Sequence, residues 1–436
     1  MQIYGKHASM NYLDGLEIAP HCLSMSTLGD LTKKMYSRRS ELQKLKALNK
    51  DSQAIPVLSF FSGLGLMDLG FHSAGLIPIW HNEYSKDFIS SFEFAMESIG
   101  MNGPSGKIQN TNSIVDIGPN EILKQAFGKN GTPDIFGIIG GPPCPDFSVG
   151  GKNKGGSGER GRLSQTFVHR ILELQPTFFV FENVPGLIRT KKHTEFLSNL
   201  LVQLSSRYKL DARIINSLEY GVPQDRERLI IVGIKSKWLK KNGHHNKNTA
   251  SADVLIKEAR QKVFNNGENL NSWFPWGLCR HYPEAKNKYN WPTQIPFGKN
   301  PEFPKDIPLE LTVWPYIGDK HKLSKLANSA EGFVPYSKKF FEIPEGDVSR
   351  KCFKRLHRWR YSPAAAYGNN EVHLHPTEAR RLTVREAMQI QTVPEELQLP
   401  SGISLSAKYK TIGNAVPVKL AKAIGLSLRE TLDNLN

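Results

Sequence analysis

One cysteine of this sequence follows a run of residues that is typical of a buried strand. Residues 140–148 read Gly-Gly-Pro-Pro-Cys-Pro-Asp-Phe-Ser and come after the apolar run at 134–139. Such a run, bounded by Gly and Pro, predicts a parallel strand. Cys144 then lies at the strand's carboxyl end, where open α/β sheets bind ligands. A thiol fixed there is a candidate nucleophile, and a small buried cysteine without chemistry is the alternative.

A glycine turn follows an earlier predicted strand. Residues 57–61 are apolar, and residues 62–70 read Ser-Gly-Leu-Gly-Leu-Met-Asp-Leu-Gly, a turn that leads into a helix. Gly63 and Gly65 would let the backbone approach a ligand at the helix N-terminus. The dinucleotide pattern G-x-G-x-x-G is not met, because position 68 is Asp. A nucleoside ligand such as S-adenosylmethionine therefore fits better than NAD.

Two acids follow the glycine turn. Glu83 comes after a predicted strand at 77–81, about twenty residues past the glycines, where an acid can accept hydrogen bonds from both ribose hydroxyls. Asp116 lies in the stretch 113–117, which we also predict as a strand. Its carboxylate would suit an adenine amino group.

A third acid is predicted at the same edge of the sheet as the cysteine. Glu182 follows the apolar strand 177–181 and has apolar neighbours. Burial could raise the pKa of such a carboxyl, so that it donates a proton. A capping or surface acid is the alternative.

Two arginines lie between further predicted strands. Residues 210–234 predict two strands that flank the sequence Tyr-Gly-Val-Pro-Gln-Asp-Arg-Glu-Arg at 220–228. Alternate residues of an extended segment point the same way, so we expect Arg226 and Arg228 to share a face.

The remaining segments differ in character. Residues 150–162 are rich in glycine and basic residues, which indicates a mobile loop that closes on phosphate, or a linker.

Residues 236–375 are rich in Lys, Asn, Pro and aromatic residues and predict a separate irregular domain. Its basic-aromatic segment 350–360 is the best candidate to bind nucleic acid. Residues 382–391 predict a helix, and Gly-Asn-Ala-Val-Pro at 413–417 leads into a C-terminal helix.

The composition limits the classes of protein. The 436 residues allow two or three domains. No long apolar run indicates a membrane span, and no apolar signal core follows Met1, so we expect a cytoplasmic protein. The four cysteines lack the paired spacing of a zinc site, and a disulfide framework is not expected in so large a cytosolic chain. A net charge of +16 favours nucleic acid as partner over a merely soluble basic protein.

The N-terminal residues 1–55 carry no motif. The stretch 28–48 is compatible with a basic helix, whose charges form either a solvated face or an arm that touches DNA.

Taken in order, these motifs resemble those of the C5-cytosine DNA methyltransferases. They are Phe-Ser-Gly-Leu-Gly (61–65), Pro-Pro-Cys (142–144) with Phe-Ser (147–148), Glu-Asn-Val (182–184), Gln-x-Arg-x-Arg (224–228), Arg-Leu-Thr-x-Arg-Glu (381–386) and Gly-Asn-Ala-Val-Pro (413–417). The match covers roughly 56–235 and 376–427. The family usually has Gln directly after the cysteine, where this chain has Pro145, which lacks an amide N–H.

The resemblance implies a fold and a division into domains. The fold would be α/β, a Rossmann-like mixed sheet of the S-adenosylmethionine-dependent methyltransferases with an inserted irregular target-recognition domain. The last helices would return to the first subdomain. The segments would be an N-terminal extension (1–55), a catalytic and cofactor-binding domain (56–235), the target-recognition domain (236–375) and a C-terminal segment that completes the catalytic domain (376–436).

The resemblance also implies a reaction. The Cys144 thiolate would attack carbon 6 of a flipped-out cytosine while Glu182 donates a hydrogen bond or proton to ring nitrogen 3. Carbon 5 would then accept the methyl group, and loss of its proton would expel the cysteine. Arg228 would steady the carbonyl edge of the base, and Arg226 the neighbouring loop or a phosphate.

The implied methyl donor is S-adenosylmethionine, and no metal is implied. The residues near the donor would be Phe61, Gly63, Leu64, Gly65, Glu83, Asp116, Ile117 and Pro143, with Asn414 closing the site. The partner would be double-stranded DNA, bound by a monomer and recognised at a specific sequence, as in restriction-modification. Localisation would be cytoplasmic, with the enzyme on nucleoid DNA.

Three other functions are weighed against this one. An RNA cytosine methyltransferase of the same fold would share the motifs, although the long middle segment favours reading of a duplex. A non-catalytic DNA-binding homologue would be expected to lose Cys144, Glu182 or the glycine turn, and this chain keeps all three. A nicotinamide-dependent oxidoreductase explains neither Cys144 nor the basic charge.

Overall fold

The computed structural model describes most of the chain. The described residues are 54–143, 159–242, 250–260, 272–365, 367 and 371–435, with only the backbone described at 159 and 160. Cys144, Pro145, most of the glycine-rich loop and the basic stretch 28–48 lie outside the described residues.

A mixed sheet forms the centre of the described structure. The strands are β1 (Ile55–Phe60), β2 (Leu76–Asn82), β3 (Gly137–Gly140), β4 (Phe178–Asn183), β5 (Tyr208–Asn216), β6 (Gln224–Asp225), β7 (Glu227–Lys235) and β8 (Ser362–Pro363). The large sheet has the order β2-β1-β3-β4-β7-β5. Strands β2, β1, β3 and β4 are parallel, whereas β7 runs antiparallel to both β4 and β5. The predicted α/β fold with a mixed sheet is confirmed.

The described helices pack on this sheet or lie in the middle and C-terminal segments. They are α1 (Leu66–His72), α2 (Lys86–Ser98), α3 (Pro119–Phe127), α4 (Glu159–Leu174), α5 (Lys191–Ser205), α6 (Ser236–Lys241), α7 (Ala252–Ala259), α8 (Ala285–Lys288), α9 (Trp314–Ile317), α10 (Lys320–Ser324), α11 (Lys339–Glu342), α12 (Val384–Ile390), α13 (Leu405–Asn414) and α14 (Val418–Leu435). Val57 and Leu58 are both fully buried. Because successive strand residues point to opposite faces, both faces of the sheet are covered.

Two helices near the C-terminus, of which the sequence predicts the first, have clear starting signals. Thr383 caps α12, since its hydroxyl accepts a hydrogen bond from the Glu386 N–H while the Glu386 carboxylate accepts one from the Thr383 N–H. This reciprocal capping box satisfies two N–H groups that a helix start leaves without partners. Ser404 caps α13 by accepting a hydrogen bond from the Ala407 N–H. Both caps fix where the C-terminal helices begin.

The stretch 113–117 differs from the strand predicted there. The residues Ile114–Asp116 form a 3₁₀ helix. Ile114 and Ile117 are buried, whereas the two residues between them are exposed. Buried residues three positions apart suit a 3₁₀ turn, in which i and i+3 lie on one side, and not the alternation of a strand. Asp116 therefore does not lie at the end of a strand.

The middle segment contributes to the main cores as well as to small ones. Leu255 and Ile256 of α7 pack in the same core as Leu201 of α5 and strands β3 and β4. Near its other end, Tyr367 packs with the residues of α1, α2, α12 and α13. The division of the chain at residues 235 and 375 stays a prediction.

The C-terminal helix α14 packs closely on α1, as predicted for helices that return to the first subdomain. A Cβ atom at Gly70 would lie 2.6 Å from the Lys422 backbone nitrogen, and one at Gly425 would lie 2.9 Å from the Ala74 Cβ. Glycine at both positions lets the two helix backbones approach. None of the helices in the described part of the chain is long and apolar enough to cross a membrane.

We expect Gly70→Ala to destabilise the fold by about 1–3 kcal/mol, the usual cost of overpacking, because the added methyl group would meet backbone atoms of α14. Chemical denaturation measures the free energy of unfolding. The control is Gly118→Ala, where an added Cβ meets no atom of the described residues within 4 Å. Equal stability of the two variants would contradict the close contact between the helices.

Candidate active site

The glycine turn lies between β1 and α1. Phe61, Gly63 and Gly65 have φ values of 56°, 57° and 79°, in the left-handed region. A Cβ at Gly65 would lie 2.6 Å from the Met96 side chain and 2.7 Å from the Phe92 ring of α2. Glycine is required at position 65 by both its backbone conformation and this packing. At Gly63, by contrast, the nearest atom of the described residues to an added Cβ would be 3.9 Å away, so no described residue fills the space above the turn.

Glu83 closes on this turn from the end of β2. Its Oε2 accepts a hydrogen bond from the Gly63 N–H at 3.0 Å, and its Oε1 accepts from Tyr84 at 2.9 Å and Ser85 at 2.8 Å. Burial raises the pKa of the Glu83 carboxyl, and these three backbone hydrogen bonds partly oppose that rise. A carboxylate offers about four acceptor sites, so Oε2 keeps capacity for a further donor such as a hydroxyl.

The other predicted cofactor residues have different surroundings. Phe61 is half-buried, and its ring meets the edge of the Phe167 ring. Pro143 is exposed and follows β3, which pairs with β1. Leu64 and Ile117 are buried in two different cores, so their side chains pack inside the protein. Asp116 and Asn414 are exposed.

Glu182 forms an ion pair with Arg228 at the carboxyl edge of the sheet. The Arg228 Nε lies 2.7 Å from the Glu182 Oε1, and both side chains are mostly buried. A Cβ at Gly141 would lie 2.7 Å from the Glu182 Oε2. The carboxylate therefore packs directly against the segment that leads into Cys144.

The hydrogen-bond partners of Arg226 differ from those of Arg228. The Arg226 Nη1 donates to the Ala365 carbonyl at 3.1 Å, and its Nη2 donates to the carbonyls of Gly413 at 2.8 Å and Ala415 at 2.9 Å. Its exposed fraction is only 1%. Burial, with a contribution from Arg228, lowers the pKa of this guanidinium from its usual value. Arg226 thus holds the neighbouring loop and is shielded from solvent, which gives it a positioning role.

Two buried glutamines extend this contact. Gln224 accepts a hydrogen bond from the Ala365 N–H at 3.0 Å and donates one to the Gln391 side chain at 3.2 Å. Gln391, just after α12, donates in turn to the Ile412 carbonyl at 2.7 Å. The motif at 224–228, the end of α12 and the Gly-Asn-Ala-Val-Pro motif are therefore joined by one hydrogen-bond network.

Comparison with known proteins identifies the family. A family model described as C-5 cytosine-specific DNA methylase matches residues 55–430. The chain belongs to this family. It is an enzyme of the DNA cytosine-5-methyltransferase class, as its motifs predict, and the oxidoreductase alternative is excluded.

Relatives of this methylase cover most of its length. Type II methyltransferase M.NmeDI of Neisseria meningitidis serogroup C is 40% identical over 398 residues, which are 89% of this chain and 86% of the relative. M.AplI of Arthrospira platensis is 30% identical over 394 residues, 90% of each chain. The fold is similar to that of a prophage-encoded E. coli protein described as a DNA modification methyltransferase, with TM-score 0.56 and 22% identity over 87% of this chain and 99% of that one.

One buried pair of the methylase is not among the site residues that the sequence predicts. Asp68 of α1 and His81 of β2 are almost fully buried, and the Asp68 Oδ1 lies 3.3 Å from the His81 Nε2. The other ring nitrogen of His81 lies 3.3 Å from the Gln109 side-chain oxygen. This pair connects the helix after the glycine turn to β2, the strand that Glu83 directly follows. An acid within the glycine motif was its only sequence signal.

We expect Arg226→Lys to destabilise the methylase by about 3 kcal/mol, because one ammonium group cannot satisfy carbonyls on both sides of the guanidinium, and buried polar groups that lose partners are costly. The midpoint and slope of denaturant unfolding test this expectation. Arg189→Lys is the control, since Arg189 is exposed and its ion pair with Glu227 should contribute less than about 1 kcal/mol. An unchanged midpoint for Arg226→Lys would show that the contact is dispensable.

Proposed function

We propose that this methylase transfers a methyl group to carbon 5 of a flipped-out cytosine in a specific sequence of duplex DNA, as the modification enzyme of a type II restriction-modification system. The observation that carries the proposal is the Glu182–Arg228 pair packed against Gly141. Glu182 lies on β4, which pairs with β3, and β3 leads into the segment that carries Cys144. The relatives named Type II methyltransferases support the biological setting.

In the proposed reaction, Cys144 and Glu182 act on opposite parts of the cytosine ring. The Cys144 thiolate forms a bond to carbon 6, while Glu182 donates a hydrogen bond or proton to ring nitrogen 3, which receives the developing negative charge. Carbon 5 becomes nucleophilic and would take the methyl group from a sulfonium donor, whose sulfur would keep the electron pair of the broken sulfur–carbon bond. A base then removes the carbon 5 proton, and the electron pair of that bond expels the cysteine.

Arg228 has two tasks in this proposal. Its ion pair with Glu182 fixes the carboxyl group, and its guanidinium would bind the carbonyl edge of the base. The target base cannot react within the duplex, so it is flipped out at a cost of a few kcal/mol, which backbone contacts offset.

The proposed methyl donor is S-adenosylmethionine, which supplies an electrophilic methyl group when bound. The open space above Gly63 and the remaining acceptor capacity of Glu83 suit a nucleoside with ribose hydroxyls. Phe61 and Pro143 would contact it at the ends of β1 and β3, Asp116 would bind the adenine amino group, and Asn414 would close the site. Gly65, Leu64 and Ile117 would shape the site through the backbone and core.

The remaining features follow from the same proposal. Residues 236–375 would read the DNA sequence, and residues 376–436 would complete the catalytic domain. The methylase would act as a monomer on double-stranded DNA, in the cytoplasm and on the nucleoid.

We expect Glu83→Ala to weaken S-adenosylmethionine binding by about 1–3 kcal/mol, because hydrogen bonds to the ribose and to the Gly63 N–H are lost. Titration calorimetry measures the Kd. Glu97→Ala removes an exposed acid of α2 and serves as control. Binding of NAD without any response to S-adenosylmethionine would overturn the assignment of the methyl donor.

We expect a duplex that carries 5-fluorocytosine at the target to trap the methylase covalently through Cys144, because fluorine cannot leave as the proton does. Denaturing gel electrophoresis and peptide mass spectrometry detect the adduct. Cys144→Ala should abolish trapping and methyl transfer but keep DNA binding, which depends largely on phosphate contacts. Glu182→Gln should slow methyl transfer by about 10²–10⁴-fold.

The matched control for these variants is Cys352→Ala, which removes a cysteine far along the chain from the motif. It should trap and methylate as the wild type does. Methylation by Cys144→Ala at the normal rate would refute the mechanism. Methylation of RNA, with none of duplex DNA, would refute the proposed substrate.

A further inference from the structure

The arginines of the basic segment 350–360 differ in their contacts, since some bind groups of the protein itself and others have donors available for a ligand. Arg355 is fully buried. Its guanidinium donates to the backbone carbonyls of Ile343 at 2.9 Å, His375 at 2.6 Å and Glu378 at 2.9 Å. Arg355 therefore connects loops inside the protein and cannot reach a ligand.

Arg358 is also occupied. Its Nε and Nη2 donate to the two oxygens of the fully buried Glu345 carboxylate at 3.0 and 2.9 Å. The remaining Nη1 donates to the Asn300 side chain at 3.2 Å. This bidentate pair neutralises the charge of Arg358 and occupies the edge of the guanidinium that could otherwise bind a ligand.

Arg360 differs from both. Its contacts are with the neighbouring Tyr361, whose hydroxyl lies 3.4 Å from its Nη2 and whose ring centroid lies 5.1 Å from the guanidinium carbon. Within the described ranges, no carboxylate pairs with it. The Tyr361 ring is buried and packs edge-on against Trp291. A guanidinium that rests on a fixed ring is oriented, and most of its five donors remain available.

The backbone around Arg360 is fixed as well. Its N–H donates to the His357 carbonyl at 3.1 Å, and its carbonyl accepts from the Val313 N–H at 3.0 Å. Two residues further, β8 pairs with β6, directly before Arg226. Arg360 is thus held in a defined position relative to the candidate active site.

Arg360 lines an open recess of about 490 Å³. The other lining residues are Thr293, Gln294, Gly346, Val348 and Ser349. Gln294 is exposed, and among the described residues its side-chain amide has no hydrogen-bond partner. None of these described lining residues is an acid, and the adjacent Asp347 accepts hydrogen bonds from Ser349 and pairs with Arg350.

We propose that Arg360 reads a guanine of the recognised DNA sequence, donating two hydrogen bonds to its O6 and N7 in the major groove. Gln294 lies beside it and contacts a neighbouring base pair. Arginine and glutamine are the side chains whose planar groups match the edges of guanine and adenine. This inference rests on the proposed methylation of duplex DNA and names the residue that selects the site.

The test begins with the sequence motif that the wild-type methylase modifies, determined by sequencing methylated cytosines in DNA from cells that express it. Purified wild type and Arg360→Ala then methylate duplexes in which each position of that motif is changed in turn. We expect the variant to lose about 10- to 100-fold in rate on the intact motif and to lose discrimination at one guanine only. S-adenosylmethionine binding should not change.

Two further variants separate base reading from charge. Arg360→Lys keeps the charge without the planar fork, and we expect it to lose discrimination at the same guanine. It also tests the proposal if Arg360→Ala fails to fold. The control Arg350→Ala removes an exposed arginine of the same segment, paired with Asp347, and should leave discrimination unchanged at every position.

Three outcomes would overturn the inference. They are unchanged discrimination in both Arg360 variants, full function of Arg360→Lys, or a uniform loss on all sequences with a smaller salt dependence, which identifies a phosphate contact. Absence of DNA methylation by the wild type would instead overturn the proposed function. The failures of the two proposals are therefore distinguishable.

Discussion

The fold depends on one buried charge, the guanidinium of Arg226. It donates to the carbonyl of Ala365 on one side and to those of Gly413 and Ala415 on the other. A buried charge is tolerated only when its hydrogen bonds are made, so the site is stable only with all three segments in place. Residues far apart in the sequence are thereby made to fold together, and the C-terminal helix α14 completes the arrangement by packing on α1.

The direction of β7 determines the chemistry at the sheet edge. Because β7 runs antiparallel to β4, its first residues lie beside the last residues of β4, with Asn183 opposite Leu229. Arg228 therefore reaches Glu182 at the edge where β1 and β3 also end. A parallel strand would carry Arg228 to the opposite edge, where it could not pair with Glu182. The mixed sheet is thus a requirement of the Glu182–Arg228 pair.

The sequence predicts those elements whose signal is local. The apolar strands and the capped helix after Thr383 follow from runs, periodicity and a capping residue, and the motifs identify the family. The prediction of a strand at 113–117 is wrong. Its apolar residues are few, and burial of Ile114 and Ile117 in the core favours a 3₁₀ turn there. The partners of Arg226 and the Asp68–His81 pair could not be predicted, since both join residues that only the tertiary fold brings together.

The contacts of Arg226 also connect the segment that carries Arg360 with the Glu182–Arg228 pair. The segment that carries Arg360 continues into β8, which pairs with β6, and then into Ala365, whose carbonyl Arg226 binds. Arg228 lies two residues beyond Arg226 and pairs with Glu182. A displacement of the Arg360 segment would strain β8 and the Arg226 contacts before it reached the carboxylate. If Arg360 reads a guanine as proposed, this short, hydrogen-bonded path would fix its distance from the Glu182–Arg228 pair, and the bases that are read would determine which cytosine is presented for reaction.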